Sequence, residues 1–570
     1  MIRKSSWRIL FLIILTTVLA SGILIRLFSL QVVKSNFYNI LAQNQHQIFQ
    51  KLVPQRGEIF IQDGKENYFR VATNRPYQML YLVPREIPES QKEEIVQKLA
   101  QVLNQDKEEI KSKINKKDDP YEIVAHKLSD DLVKTIKDLN LKGVYFTPET
   151  WRFYPASTLL SHLLGFVGYF DNQRVGQYGL EGYYQKQLEG QPGFIETVKD
   201  AIGRWILSGD YRLEEARDGD DLILTIDRNI QFTTEENLKE VVEKWKAEAG
   251  NVIIMEPKSG KILALANWPN FDPNNYSEVE NINIFLNSAT QKLFEPGSVF
   301  KPVTMAAGLD TDKIGPQTTY TDGGIVRIGG YTITNANNRS YGLSSMTKVL
   351  EKSINTGAVF VQRLIGPDVF REYVNKFGFS QVTGIDLESE IAGNINNLKE
   401  DSPEINFATA SFGQGIAVTP IELITALSAI ANEGKLMKPY IVEKIIHPDG
   451  TETSIEPEII KQVISPQTAS KLTSMLVSTV RTGYDKIKIK GYFIAGKTGT
   501  AQIPNPDRKG YGDESIHTFV GWAPAFNPKF IILLKIDKPK GIRFASDSLA
   551  PTFAKLTQYL LNYYEIPPEE

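Results

Sequence analysis

Asn251-Val-Ile-Ile-Met-Glu256 is followed by Pro257-Lys-Ser-Gly260 and then by Lys261-Ile-Leu-Ala-Leu-Ala266. Two short apolar runs separated by a Pro/Gly-bounded turn predict an antiparallel hairpin. Just upstream, Leu222-Ile-Leu-Thr-Ile-Asp227 reads as a strand and Arg228 to Ala249 as a long helix. Far downstream, Tyr492-Phe-Ile-Ala495, His517-Thr-Phe-Val-Gly-Trp522 and Phe530-Ile-Ile-Leu-Leu-Lys-Ile536 supply three more strands, and Leu549 to Tyr564 a final helix that would pack on them. Helical segments fill the interval. The plan is α/β (α+β), with a central antiparallel sheet made from both ends of one domain, residues 218–570, and flanked by helices.

The rest of the chain reads differently. At 570 residues it exceeds a single ordinary domain. Hydrophobic content of 42% and charged content of 23% describe a globular protein. Residues 31–217 form a second unit, a mixed α+β pedestal. Its Gln31 to Gln50 stretch reads as an amphipathic helix, Tyr77-Gln-Met-Leu-Tyr-Leu-Val83 as a strand, and Gln91 to Lys113 as a solvated helical face. It carries no evident catalytic constellation. Ahead of it, the run from Ile9 to Ile25 is uncharged and extends through Leu30 if Arg26 snorkels, which predicts a single transmembrane anchor over residues 9–30. Arg3, Lys4 and Arg8 keep the tail, residues 1–8, in the cytoplasm and place the remainder outside it. Val18-Leu-Ala20 resembles a signal-peptide cleavage site, but the apolar run exceeds a usual signal core, so retention is expected.

Composition removes several chemistries. A net charge of −3 without a dense basic tract argues against nucleic acid. With no cysteine there is no thiol nucleophile, thiolate zinc site or disulfide. The five histidines are scattered without an HExxH pair, so no metal site is predicted.

Three short motifs then occur in order: Ser298-Val-Phe-Lys301, Ser353-Ile-Asn355 and Lys497-Thr-Gly-Thr500. Ser298 follows Glu295-Pro-Gly297, a turn that opens a helix and puts Lys301 on the same face at i+3. A serine hydroxyl needs an adjacent base, and a lysine serves only if burial or a neighbouring cation, for which Lys497 is the candidate, lowers its pKa. A helix start at Ser298 also presents a backbone N–H to a developing oxyanion. Ser353 and Asn355 diverge on a helix but share a cleft in a turn, where the hydroxyl can relay a proton and the carboxamide can bind a peptide. On an edge strand, Lys497, Thr498 and Thr500 suit a substrate carboxylate, and Gly499 leaves room for substrate backbone. Each motif alone has a plain structural reading as a cap, a turn or a strand end. A second Ser-x-x-Lys, Ser345 to Lys348, lacks the preceding Pro-Gly turn and is read as structural. The three together match the set known for acyl-serine enzymes.

The chain resembles the class B penicillin-binding proteins, and within them the division-type (septal) transpeptidases. The resemblance extends through Arg26-Leu-Phe-Ser-Leu-Gln31, Arg56-Gly-Glu-Ile59, Trp151-Arg-Phe-Tyr-Pro155, His162-Leu-Leu-Gly-Phe-Val-Gly168, Gly179-Leu-Glu-Gly-Tyr183, Phe412-Gly-Gln-Gly-Ile-Ala-Val-Thr-Pro420 and Gly496-Lys-Thr-Gly-Thr-Ala-Gln502. It implies a serine D,D-transpeptidase cross-linking peptidoglycan stem peptides. Ser298 attacks a D-Ala-D-Ala terminus, Lys301 is the base, Ser353 shuttles the proton and Asn355 holds the donor. Lys497, Thr498 and Thr500 bind the carboxylate, and the backbone N–H groups of Ser298 and Thr500 form the oxyanion hole. β-Lactams would trap Ser298, and no cofactor is required. Also implied are a place in the bacterial cytoplasmic membrane with the catalytic domain outside, a polytopic lipid II polymerase as partner, and other division proteins. One departure is Phe60-Ile-Gln-Asp-Gly64, where the family often continues Asp-Arg-Asn-Gly, so the pedestal offers partners a different surface. No repeated binding modules are expected after the last helix.

Rival readings share the first chemical step. A D,D-carboxypeptidase or β-lactam-hydrolysing relative passes the acyl group to water. A receptor or scaffold keeps an acylable serine without turnover. The long pedestal argues against the first, and a receptor would carry more than one membrane span. Residues 31–215 are short for the glycosyltransferase of a bifunctional class A enzyme. Ser-x-Asn and Lys-Thr-Gly resemble the septal rather than the elongation group.

Overall fold

The computed structural model describes residues 47–64, 67–116, 119, 121–171, 173–198, 212–505 and 510–569. They form two compact units, one containing residues 47–55, 189–198 and 212–219, the other the described residues between 56 and 188 and between 220 and 569. The first holds a three-stranded antiparallel sheet of Gln47–Leu52, Gly193–Val198 and Arg212–Glu214. Residues 47–50, expected at the end of a helix, are therefore extended. Gln47 pairs with Val198 and Leu52 with Gly193, so a ladder to a distant segment overrides the local helical pattern. Residues 31–46 and the expected anchor at 9–30 lie outside the described residues. Among those described, no helix is long and apolar enough to cross a membrane.

In the larger unit, the predicted hairpin forms as β1 (Ala249–Met255) and β2 (Ile262–Trp268). Strands β3 (Ala495–Pro504), β4 (Tyr511–Ala523) and β5 (Phe530–Asp537) complete an antiparallel sheet in the order β2-β1-β5-β4-β3. The pairing of β1 with β5, Val252 opposite Leu534, joins the two ends of the domain. Every residue of β5 is buried, because helices cover both faces. On one face α1 (Arg228–Trp245) and the C-terminal helix pack Leu238, Val241, Phe553 and Leu560 against Ile254, Phe519 and Ile532. On the other lie α2 (Lys301–Asp310), α3 (Asn355–Ile365) and α4 (Pro420–Ala431). The last of these is buried at every position and held at its start by a capping box between Thr419 and Glu422.

Tyr492–Ile494 is not a strand. The backbone becomes extended only at Ala495, which puts the third motif inside β3, at the sheet edge. The expected Gln91–Lys113 helix is two, Lys92–Leu103 and Lys107–Ile114, separated by Asn104 in the left-handed conformation and Asp106 as N-cap. Their inner faces pack Ile95, Leu99, Ile110 and Ile114 on Leu80, Leu82 and Val124 of the pedestal sheet.

Strand Asp221–Asp227 pairs in parallel with Ile59–Gln62 and antiparallel with Val442–Ile446, so one seven-stranded sheet runs across the change in sequence texture near Asp218. Three of the pedestal-side motifs converge beside this sheet. Glu181 is fully buried and accepts from Arg56 Nε (2.7 Å) and Arg152 Nε (2.6 Å), while Tyr154 OH donates to it at 3.2 Å. Arg152 also donates to the Gly57 carbonyl at 2.7 Å. Burial alone would raise the Glu181 pKa; Arg152 and Arg56 reverse that and hold it below the usual carboxylate range. Next in the chain, Tyr184 OH donates to Asp386, which also accepts from Ile441 N and Val442 N.

Candidate active site

Ser298 sits in a single 3-10 turn, Gly297–Phe300, that runs directly into α2. Pro302 supplies a preset φ in the first turn of that helix. The turn is clamped from two sides. Gly297 N donates to the Gly413 carbonyl at 2.9 Å, and Gly413 has φ +80°; a Cβ there would lie 2.2 Å from the Gly297 oxygen. This is the local role of the Phe412 to Pro420 segment. Its Gly415 N also donates to Glu295, immediately before the turn, and Tyr511 OH reaches the same carboxylate at 3.0 Å.

On the other side is β3. A Cβ on Gly499 would meet the Pro296 carbonyl at 2.8 Å and Val299 Cγ1 at 3.1 Å. A side chain at Gly499 would be directed at the turn that holds Ser298, so its absence lets the strand lie against that turn. Gly499→Ala is expected to cost about 1–3 kcal/mol through overpacking and to slow penicillin acylation about tenfold by shifting Ser298 relative to β3. Thermal melts and acylation rates check both; an unchanged rate would mean that the strand's approach does not set the position of Ser298.

Lys301 is fully buried, and its Nζ lies 3.0 Å from Ser298 Oγ, 3.1 Å from Ser353 Oγ, 2.6 Å from the Ser353 carbonyl and 2.8 Å from Asn355 Oδ1. Lys497, 1% exposed, approaches the same Ser353 hydroxyl at 3.0 Å from β3. Two lysines thus flank one hydroxyl. Burial first, and the Lys497 charge second, hold the Lys301 amine well below the usual lysine range. Ser353 has φ +54°, a left-handed conformation that is uncommon for serine and ends the preceding helix, Met346–Glu351. That break lets Ser353 and Asn355, the first residue of α3, both face Lys301. The second Ser-x-x-Lys is structural as read: Ser345 caps Met346–Glu351 by accepting from Lys348 N, and Lys348 Nζ points to the Tyr341 and Leu343 carbonyls.

These groups open onto a cavity of about 1360 Å³ lined by Ser298, Ser353, Asn355, Thr498 and Thr500. Thr498 Oγ1 lies 2.7 Å from Tyr484 OH, and Thr500 Oγ1 accepts from Ala545 N at 3.1 Å. Tyr484, beyond the end of the helix Pro466–Gly483, carried no motif in the sequence. The arrangement suits acyl transfer: a buried amine whose charged form is disfavoured lies beside a hydroxyl, with a second lysine one hydroxyl away. Among the described residues, no three His, Asp or Glu side chains gather where they would hold a metal ion.

The penicillin binding protein transpeptidase domain, as a sequence family, matches residues 250–558, and the penicillin-binding protein dimerisation domain matches residues 51–224. Stage V sporulation protein D of Bacillus subtilis is 33% identical over 570 residues, covering 99% of this chain and 86% of that protein. The probable peptidoglycan D,D-transpeptidase PenA of Neisseria meningitidis is 28% identical over 569 residues, covering 99% and 94%. Among solved structures, penicillin binding protein 2X of Streptococcus thermophilus superposes with a TM-score of 0.73 at 22% identity, over 90% of this chain and 80% of that one. Penicillin binding protein 3 of the tubercle Mycobacterium, complexed with aztreonam, gives 0.70 at 25% identity, over 91% and 98%. The dimerisation domain followed by the transpeptidase domain, with a relative 33% identical along 99% of the chain, places this protein among the class B penicillin-binding proteins.

Proposed function

We propose that this protein is a serine-type peptidoglycan D,D-transpeptidase. The observation that carries the reading is the Lys301 amine, buried and 3.0 Å from Ser298 Oγ, with Lys497 on the far side of Ser353. Lys301 takes the Ser298 proton as Oγ bonds to the carbonyl carbon of the penultimate D-Ala. The carbonyl oxygen takes up negative charge opposite the backbone N–H groups of Ser298 and Thr500. The C–N bond then breaks, and the terminal D-Ala leaves as an amine after receiving a proton through the Ser353 hydroxyl. An amine of a second stem peptide attacks the resulting ester, returns a proton by the same route and frees Ser298. Asn355 holds the donor backbone, and Lys497, Thr498 and Thr500 take its carboxylate. A β-lactam follows the first half and stops there.

The same reading assigns residues 31–217 to the pedestal and 218–570 to the catalytic domain, with residues 9–30 as a single anchor and the tail, 1–8, inside. A lipid II polymerase in the membrane and other division proteins are its partners at the septum. A second setting, sporulation, is favoured by the likeness to Stage V sporulation protein D. A fluorescent fusion followed in dividing and in sporulating cells separates the two.

The test of the chemistry is intact mass of the full chain in detergent after benzylpenicillin. Wild type is expected to gain the mass of one drug molecule, and Ser298→Ala none. A folded wild type that stays unmodified at high drug and long times would sink the acyl-enzyme reading.

A further inference from the structure

Asp322 ends the short strand Thr319–Asp322 and is 2% exposed. Its carboxylate accepts five hydrogen bonds: from Gly324 N (2.9 Å), Tyr341 N (2.8 Å), Thr356 Oγ1 (2.6 Å) and, on its two oxygens, Asn335 Nδ2 (3.1 and 2.9 Å). Among the described residues it has no ion-pair partner. A carboxylate buried without a counter-charge is costly and is tolerated only when donors saturate it; a saturated buried network then fixes one geometry.

What this network fixes adjoins the catalytic lysine. Thr356 follows Asn355 at the start of α3, and Asn335 follows Thr334. Asn335 Oδ1 accepts from Thr356 N at 3.1 Å, so Asp322 and Asn335 together bind the two chain segments to each other. Between those segments lies the Asn355 carboxamide. Its Nδ2 donates to the Thr334 carbonyl at 2.9 Å, which turns Oδ1 toward Lys301 Nζ at 2.8 Å. A neutral amine has two N–H bonds and one lone pair. Asn355 Oδ1 and the Ser353 carbonyl, the two nearest acceptors, take the N–H bonds. The lone pair is left for the two hydroxyls, Ser298 Oγ at 3.0 Å and Ser353 Oγ at 3.1 Å, the pair between which the proposed proton route runs.

We infer that Asp322 is a positioning residue for this reaction: through Asn335 and Thr356 it sets the Asn355 carboxamide, and through that the direction of the Lys301 lone pair. The inference rests on Lys301 being the base. It differs from a purely structural role for the hairpin Ile325–Thr334, which would affect stability and rate together.

The test uses the full chain in detergent micelles, a fluorescent penicillin and a pH range of about 5 to 10, with wild type, Asp322→Asn and Thr356→Val. Both variants are expected to acylate about tenfold or more slowly while melting within a few degrees of wild type. The acidic limb of the pH–rate profile moves to higher pH, because a loosened carboxamide lets water reach the amine. Thr356→Ser, which keeps the hydroxyl, restores both rate and limb. Loss explained by the unfolded fraction, or an unmoved limb, overturns the inference. If Asp322→Asn does not fold, the isosteric Thr356→Val decides. Titration of the lysine Nζ signals by NMR on 15N-lysine protein reads the same shift without any drug. An unreactive wild type would therefore overturn the proposed function while the titration still decides the role of Asp322.

Discussion

Lys301→Met is expected to lower the rate of penicillin acylation by about 10²–10⁴-fold, the range lost when a positioned general base is removed. The same change is expected to raise the melting temperature. Lys301 is buried, its burial disfavours the charged form, and Lys497 acts in the same direction. Methionine fills similar space without a charge to desolvate. The pH dependence of that gain has a definite sign. A lysine whose folded-state pKa is depressed binds fewer protons folded than unfolded, so wild-type stability rises with pH between the depressed value and the unfolded value of about 10.4. The advantage of Lys301→Met is thus full below the depressed pKa and shrinks as pH rises toward that of free lysine. Melting curves of both proteins at several pH values check this, together with acylation rates. A variant that acylates normally would remove Lys301 from the base role, and one that melts lower at neutral pH would remove the claim that its burial is a stability cost.

Glu181→Gln is expected to destabilise the larger unit by about 3–5 kcal/mol, the usual cost of breaking a buried ion pair by removing one partner. Glutamine keeps the shape but leaves Arg152, 3% exposed, and Arg56, 12% exposed, facing each other without a counter-charge. One Arg152 nitrogen is already buried without a partner, so the cluster has no spare acceptor to offer. The urea midpoint should fall markedly, whereas acylation of protein that remains folded should change little, since none of these groups lines the cavity. An unchanged midpoint would show that the cluster is replaceable.

The hairpin at Asn251–Ala266 and the strands near His517 and Phe530 were legible because each is an apolar run bounded by turn residues, a signal that survives without tertiary context. Strand β3 was misplaced by a few residues. Its centre is Lys-Thr-Gly-Thr, polar and glycine-containing, and it is extended only because β4 pairs with it. Motif spacing names residues that the structure brings together around Ser298, but not what orients them. Ser353 in a left-handed conformation, Gly413 against Gly297, Tyr484 beside Thr498 and the Asp322 network all depend on contacts between segments far apart in sequence. Arg56, Arg152 and Glu181 belong to three separate motifs of the chain, and nothing in their spacing indicates that they meet.

The pairing of β1 with β5 has a consequence for biosynthesis. A ribosome that has finished Trp268 has made a hairpin whose central strand lacks its neighbour, and that neighbour, Phe530–Asp537, follows more than 250 residues later. Closure over so long an intervening chain is slow, and until it happens an apolar strand edge is open to the wrong partner. The edge strand Ala495–Pro504, which carries Lys497 to Ser353, also pairs only within this sheet, through Tyr511–Ala523 to Phe530–Asp537. A chain cut before Phe530 keeps the β1 edge open, the kind of surface that invites aggregation.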